Sequence, residues 1–218
     1  MAFHQSGEPQ PAATVVIIRE TGRGREVLLT RRPDSMKFLG GFFVFPGGKV
    51  DSHDISDRAK SRVFGLPENL SGIFDPNGHD AIGFYTAGIR ELFEESKILL
   101  LCDESGSLIP HEEYRRMKKI SNISHDRFLD EIVAKDLFFS CNRLHFLQLF
   151  ITPKPSPIRF YTTFFYTFMP EGQEVEVDSH EVAEAFWIST AAALKKYHEG
   201  KFPMIPPTVF ALEMVQSL

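Results

Sequence analysis

The chain has 218 residues, 43% hydrophobic and 24% charged, with a formal net charge of −5. That length suits one domain, or one domain with a substantial insertion, and the composition suits a packed core. The acidic balance argues against non-specific nucleic-acid binding, which needs a basic surface.

Cys102 and Cys141 are the only cysteines. They form neither a disulfide framework nor a zinc motif and fit a reducing compartment. The polar, Pro-containing MAFHQSGEPQPAAT is not a signal peptide, and no apolar run is long enough to span a bilayer. The final QSL is not a peroxisomal signal. The expectation is a cytoplasmic protein without a membrane partner.

In chain order, ATVVIIRE (13–20) is a β-branched run that predicts a buried strand. TGRGRE supplies the glycines of a hairpin, and VLLTRR (27–32) is the returning strand. RPDSMKFLGG reads as a loop leading into FFVFPGGKVD, where an apolar stretch stops at Pro46, Gly47 and Gly48. Such a stop lets backbone approach something closely. Residues 52–79 read as irregular. From Asp80 to Lys97 the pattern is helical. Ile82, Tyr85, Ile89, Leu92 and Phe93 share one face, and Glu91, Glu94 and Glu95 fall on another. KILLLC then reads as a short buried strand.

Residues 110–150 change character and read as a helical insertion. HEEYRRMKKI and SHDRFLDEIVAKD are amphipathic segments, the second with Ser124 as its cap. This insertion is a candidate homodimer interface or a cover over a site. RFYTTFFYTFM (159–169) predicts a strand, and EVEVDSHEVAEAFWIS alternates up to Trp187. TAAALKKYHEG is a helix closed by Gly200, and PPTVFALEMV opens a last helix with proline in its first turn. The clusters Phe42, Phe43, Phe45 and Phe164, Phe165, Phe168 are expected in the core.

The stretch AGIRELFEESKIL (87–99) raises the chemical question. Glu91, Glu94 and Glu95 are neighbours on a helix and repel one another, while Arg90 can pair with Glu94 one turn on. A hard divalent cation offsets the repulsion further, because Mg²⁺ favours carboxylate oxygen and substrate phosphates. Two readings stand: a solvated helix face, the usual fate of a charge run, or a metal site between core elements.

FPGGKVD followed by RELFEESKI resembles the two halves of the Nudix box, Gx5Ex7REUxEExGU with U an aliphatic. The match covers Arg90, Glu91, Leu92, Glu94, Glu95 and Ile98. The resemblance implies an α/β fold: one Nudix domain over residues 1–218, an α/β/α sandwich around a mixed β-sheet with an inserted helical segment. It also implies Mg²⁺ or Mn²⁺ on Glu91, Glu94 and Glu95, and hydrolysis of a nucleoside diphosphate linked to another group. This chain departs from the box in three places. About 28 residues (within 52–79) are inserted between Gly48 and Arg90. The early glutamate, counted back from Arg90, falls on Ile82, and the closing glycine is Lys97. A non-glycine residue in a left-handed turn costs about 1 kcal/mol.

The split box, together with LLTRRP, VFPGG, ITPKPSPIRFYTTFF, EVAEAFW and a late PPT, resembles the coenzyme A diphosphatase branch over residues 13–215. That implies coenzyme A or an acyl-CoA as the small-molecule substrate, cleaved to 3′,5′-ADP and a phosphopantetheine. The branch commonly has RFDTRFF where this chain has Tyr161 and Thr163. A nucleotide sugar, a dinucleotide or NADH therefore stays open, as does a nucleotide-binding module without turnover.

Under the resemblance, Glu94 and Glu95 carry catalysis and Arg90 orients them. Gly47 and Gly48 offer a carbonyl or let the diphosphate approach. Arg32, with Lys37 behind it, holds phosphate. Glu181 and Glu184, ahead of Trp187, are either candidate bases or plain surface carboxylates.

Overall fold

The structure is a computed structural model describing residues 8–68, 70, 80–119, 125–154, 156, 158–177 and 182–218. A long strand, β1 (Gln10–Thr21), turns back into β2 (Gly24–Arg31). Gly24 takes a φ of +109° at this hairpin, a backbone region open to glycine. The short strands β3 (Phe43–Val44) and β4 (Gly47–Lys49) flank Pro46. β3 pairs with β2 and β4 with β1, so the chain fans two neighbouring strands apart at the proline.

Next come α1 (Asp57–Lys60), β5 (Val63–Phe64) and α2 (Ala81–Ser96). They are followed by β6 (Leu101–Cys102), α3 (His111–Lys118), α4 (His125–Ala134), β7 (Phe138–Ser140) and β8 (His145–Ile151). The chain closes with β9 (Phe160–Phe168), β10 (Glu184–Ile188), α5 (Thr190–His198) and α6 (Pro206–Gln216).

The main sheet runs β10-β2-β1-β9-β8, with β3 and β4 attached to β2 and β1. It is mixed: β1 and β9 are parallel, and the other pairs are antiparallel. β1 lies in the middle, which explains its unbroken apolar run. Val15 and Ile17 pack with Tyr85, Ile89 and Leu92 of α2 in one cluster. Val16 and Ile18 pack with Ala193 of α5 and Leu212 of α6 in another. Successive strand residues point to opposite faces, so one strand serves both layers of an α/β/α sandwich.

Residues 110–150 are only partly helical. After α4 the chain turns into β7 and β8, and β8 forms an edge of the main sheet against β9. Between Phe146 and Gln148 its register shifts, and the bulge breaks the two-residue alternation that marks a strand in sequence. Ser124 lies outside the described residues. KILLLC is buried throughout but pairs as a strand only at Leu101–Cys102. Phe168, expected in the core, is exposed at the end of β9.

The ends of α2 fall where the sequence places them. The Asp80 carboxylate accepts from the Ile82 N–H at 3.0 Å and caps the first turn. Lys97 closes the helix at φ 58°, ψ 17°, and its N–H bonds to the Phe93 carbonyl at 2.9 Å. The left-handed turn is present although glycine is not, and the Lys97 ammonium lies 5.1 Å from the Phe93 ring centre.

Candidate active site

Arg90 is almost fully buried and sits at the centre of the carboxylates. Its Nε and Nη2 donate to Oδ1 and Oδ2 of Asp54 at 3.0 and 2.9 Å, a fork-to-fork pair. Nη1 donates to Glu91 Oε1 and Glu94 Oε2, both at 2.8 Å. Nη2 also donates to the Lys49 carbonyl at 2.9 Å. One guanidinium thus ties α2, the end of β4 and the following turn together. Burial opposes its charge, but Asp54, Glu91 and Glu94 outweigh burial and hold the proton well above the ordinary arginine range.

Asp54 is the residue that sequence reasoning missed. Its N–H bonds to the Asp51 carbonyl at 3.1 Å, and its Oδ2 accepts from the Asp51 N–H at 2.8 Å. Its own carbonyl accepts from the buried Thr86 hydroxyl at 2.8 Å, which docks the turn on α2. Counted forward from Gly48 instead of back from Arg90, Asp54 holds the early acidic position of the box. Ile82 does not: it is part-buried in the first turn of α2. The inserted residues therefore follow Asp54. The signal was GKVDSHD, with an acid six residues after Gly48.

The glutamates do not form a solvated face. The Glu91 and Glu94 side chains are only 13% and 19% exposed, and Glu95 is buried. Glu95 Oε2 accepts from the Gly47 N–H at 3.2 Å. A Cβ on Gly48 would stand 2.4 Å from Glu91 Oε1, and one on Gly47 would stand 2.3 Å from the Ala13 carbonyl oxygen. Gly47 is therefore required by β1 and Gly48 by Glu91. Burial pushes the Glu94 carboxyl up to about 7, with Arg90 pulling it down and Glu91 pushing it further up.

The donor set fits Mg²⁺ or Mn²⁺. It offers three carboxylates beside glycine backbone, all hard oxygen donors. The missing side chain at Gly48 also leaves the Glu91 carboxylate a cradle that any Cβ would fill. Among the described residues, no three His, Cys, Asp or Glu side chains are already gathered as a metal centre.

The other expected residues lie on other elements. Arg32 Nε donates to the Phe38 carbonyl within its own loop at 3.3 Å, and Lys37 is exposed in that loop. Arg31 pairs with Asp34 at 2.6 Å. Glu184 opens β10 opposite Arg31 instead of lying on a loop. Glu181 lies outside the described residues.

A mixed sheet clasped between helices, with α2 aiming Arg90-gathered carboxylates at a Pro-Gly-Gly strand end, is the architecture of solved Nudix hydrolases. A Nudix hydrolase crystal structure from Alicyclobacillus acidocaldarius is similar, at 27% identity and a TM-score of 0.76, covering 96% of this chain and 92% of that one. Putative nudix hydrolase 7 of Caenorhabditis elegans is 25% identical over 95% of this chain. An acyl-coenzyme A diphosphatase of Xenopus laevis is 25% identical over 86% of it. The matches span 60% and 58% of the length of those two curated relatives. No family model matches. Among the described residues, no helix is long and apolar enough to cross a membrane.

Proposed function

We propose that this protein is a metal-dependent diphosphatase acting on coenzyme A or an acyl-CoA, releasing 3′,5′-ADP and a phosphopantetheine. The observation that carries this is the Arg90 hub, which holds Glu91 and Glu94 beside Gly48 while Glu95 grips Gly47. Glu91, Glu94 and Glu95 would hold Mg²⁺ or Mn²⁺, which supplies charge neutralisation on the phosphates and a more acidic water. Arg90, enclosed by carboxylates, orients them and does not touch substrate. The bare backbone at Gly47 and Gly48 lets a diphosphate come close. Arg32 and Lys37 remain the phosphate-binding candidates and Glu181 the candidate base. A water oxygen bonds to phosphorus, the bridging P–O bond breaks, and the water's proton passes to the base. A cytoplasmic setting and a small nucleotide substrate go with this reading.

The coenzyme A assignment is supported by similarity to the Xenopus laevis acyl-coenzyme A diphosphatase. Tyr161 and Thr163, where the branch carries charges, are fully buried, and Tyr161 lies beneath Phe84 of α2. Their change alters what underlies the helix, not what a substrate meets. A non-catalytic module is disfavoured by Asp54, which fills the early acidic position, and by Lys97, which keeps the left-handed turn.

The test is product analysis with coenzyme A, acetyl-CoA, ADP-ribose, a dinucleotide and NADH, each with Mg²⁺ or Mn²⁺. The expected result is 3′,5′-ADP from coenzyme A at the highest kcat/KM. Combined Glu94→Gln and Glu95→Gln should lower it by about 100-fold or more. Full activity in that double variant overturns the mechanism.

A further inference from the structure

Next to the carboxylate helix the sheet carries a cleft of about 400 Å³. Leu28 of β2 and Ala185 and Trp187 of β10 line it, together with Met169, Val175 and Arg19. Leu28 and Trp187 are register partners, so they present the same sheet face, the one that α2 also covers.

Residues 173–175 wall this cleft, and the segment 173–176 is fastened to the end of α2. Gln173 Nε2 donates to the Leu99 carbonyl at 2.9 Å, and Gln173 Oε1 accepts from the Leu99 N–H at 2.8 Å. The Glu176 N–H donates to the Ser96 carbonyl at 3.0 Å. Ser96 directly follows Glu95, and the left-handed Lys97 turns the chain so that both attachment points meet this wall. The wall of the cleft is therefore anchored to the turn that directly follows the proposed metal-binding glutamates.

Its chemistry selects against phosphate. The Arg19 guanidinium lies over Trp187, 4.5 Å from the ring centre, but its Nε and Nη2 donate to Glu26 at 2.9 and 2.6 Å. That positive charge is already matched. Glu174 at the rim adds a negative one. Arg19, the one cation of the lining among the described residues, is thus already engaged and offers a phosphate-bearing nucleotide half little attraction. Apolar walls with a neutralised polar edge suit a neutral, linear chain of methylenes and amides, and the volume lies in the usual range for a small-molecule pocket.

Resting on the diphosphatase reading, we propose that this cleft holds the neutral amide-bearing arm beyond the scissile diphosphate, the pantetheine-type half of the substrate. Ala185, Val175 and Trp187 are then its specificity-determining residues.

Trp187 is the only tryptophan in the chain, so its emission reports occupancy of the cleft without any turnover. Titration with pantetheine should change that emission saturably, and titration with ADP-ribose should not. Filling the cleft with Ala185→Phe should weaken the pantetheine response about tenfold or more and raise the KM for coenzyme A to match. Val175→Phe, outside the sheet, should do the same and guards against misfolding of the strand variant. Coenzyme A hydrolysis without any pantetheine response overturns the cleft assignment alone. An equal response to ADP-ribose, or filled variants that bind like the wild type, overturns it too. A saturable pantetheine response in a protein that hydrolyses no diphosphate supports the cleft and overturns the diphosphatase reading.

Discussion

Asp54 and Arg90 stand 36 residues apart in sequence and meet through two hydrogen bonds of 3.0 and 2.9 Å, both side chains nearly closed to solvent. The pair closes the split box: Asp54 lies before the interruption in sequence and Arg90 after it. Removing one partner of a buried ion pair leaves the other charge without compensation. Asp54→Ala should therefore destabilise the fold by about 3 kcal/mol or more, read as a drop in the denaturant midpoint. Asp54→Asn, which keeps one acceptor for Arg90, should lose less. Wild-type stability in Asp54→Ala would show that Glu91 and Glu94 alone hold the guanidinium.

The two glycines of the strand end should fail in different ways. A methyl on Gly47 meets the Ala13 carbonyl and the Thr14 Cα, at 2.3 and 2.7 Å, and backbone cannot yield cheaply. Gly47→Ala is expected to unfold at clearly lower denaturant. The nearest atoms to a methyl on Gly48 are those of the Glu91 carboxylate, the far end of a side chain that can swing away. Gly48→Ala should keep most of its stability and lose about tenfold or more in kcat/KM, because Glu91 leaves its place. Denaturation and kinetics on the same two proteins separate the effects, and equal behaviour would refute the assignment.

Much of this was legible from periodicity. The apolar run of β1 announced a strand buried on both faces, and Asp80 and Lys97 marked the ends of α2. Asp54 was hidden because the inserted residues make counting back from Arg90 land on Ile82. The strand β8 was hidden because a bulged edge strand loses the alternation that identifies it, and β7, three residues long in a separate small sheet, is too short to show any. Whether the glutamates were solvated was not readable at all. Their burial depends on β4 and the 51–54 turn folding back over α2, a long-range contact that no local pattern encodes.

Cys141 gives the fold a dependence on alkaline pH. Burial pushes its thiol from 9.0 up to about 12. Above pH 9 the unfolded chain loses this proton while the folded chain keeps it. Stability from this group is fully present below pH 9 and falls as pH rises toward 12, by up to about 1.4 kcal/mol per pH unit. Tyr85, likewise raised by burial from 10.0 to about 12, adds to the fall above pH 10. Cys141→Ala should be less stable at neutral pH but lose stability less steeply in that window. Parallel pH profiles for the two proteins would exclude Cys141 as a source.

Lys97 tests whether the replaced box glycine weakens the site. Its left-handed backbone costs a residue with a Cβ about 1 kcal/mol or more. Against that, its side chain is nearly buried with the ammonium over Phe93, and glycine would forfeit that contact and add chain entropy to the unfolded state. The two effects oppose each other, so Lys97→Gly should lie within about 1 kcal/mol of wild type. Lys97→Val, β-branched at positive φ, should lose about 2 kcal/mol or more. Because Lys97 already makes the turn that glycine makes in the box, Lys97→Gly should leave kcat within about threefold of wild type, a difference below 1 kcal/mol in the barrier. A rise of tenfold or more would instead mean that the lysine restrains the enzyme.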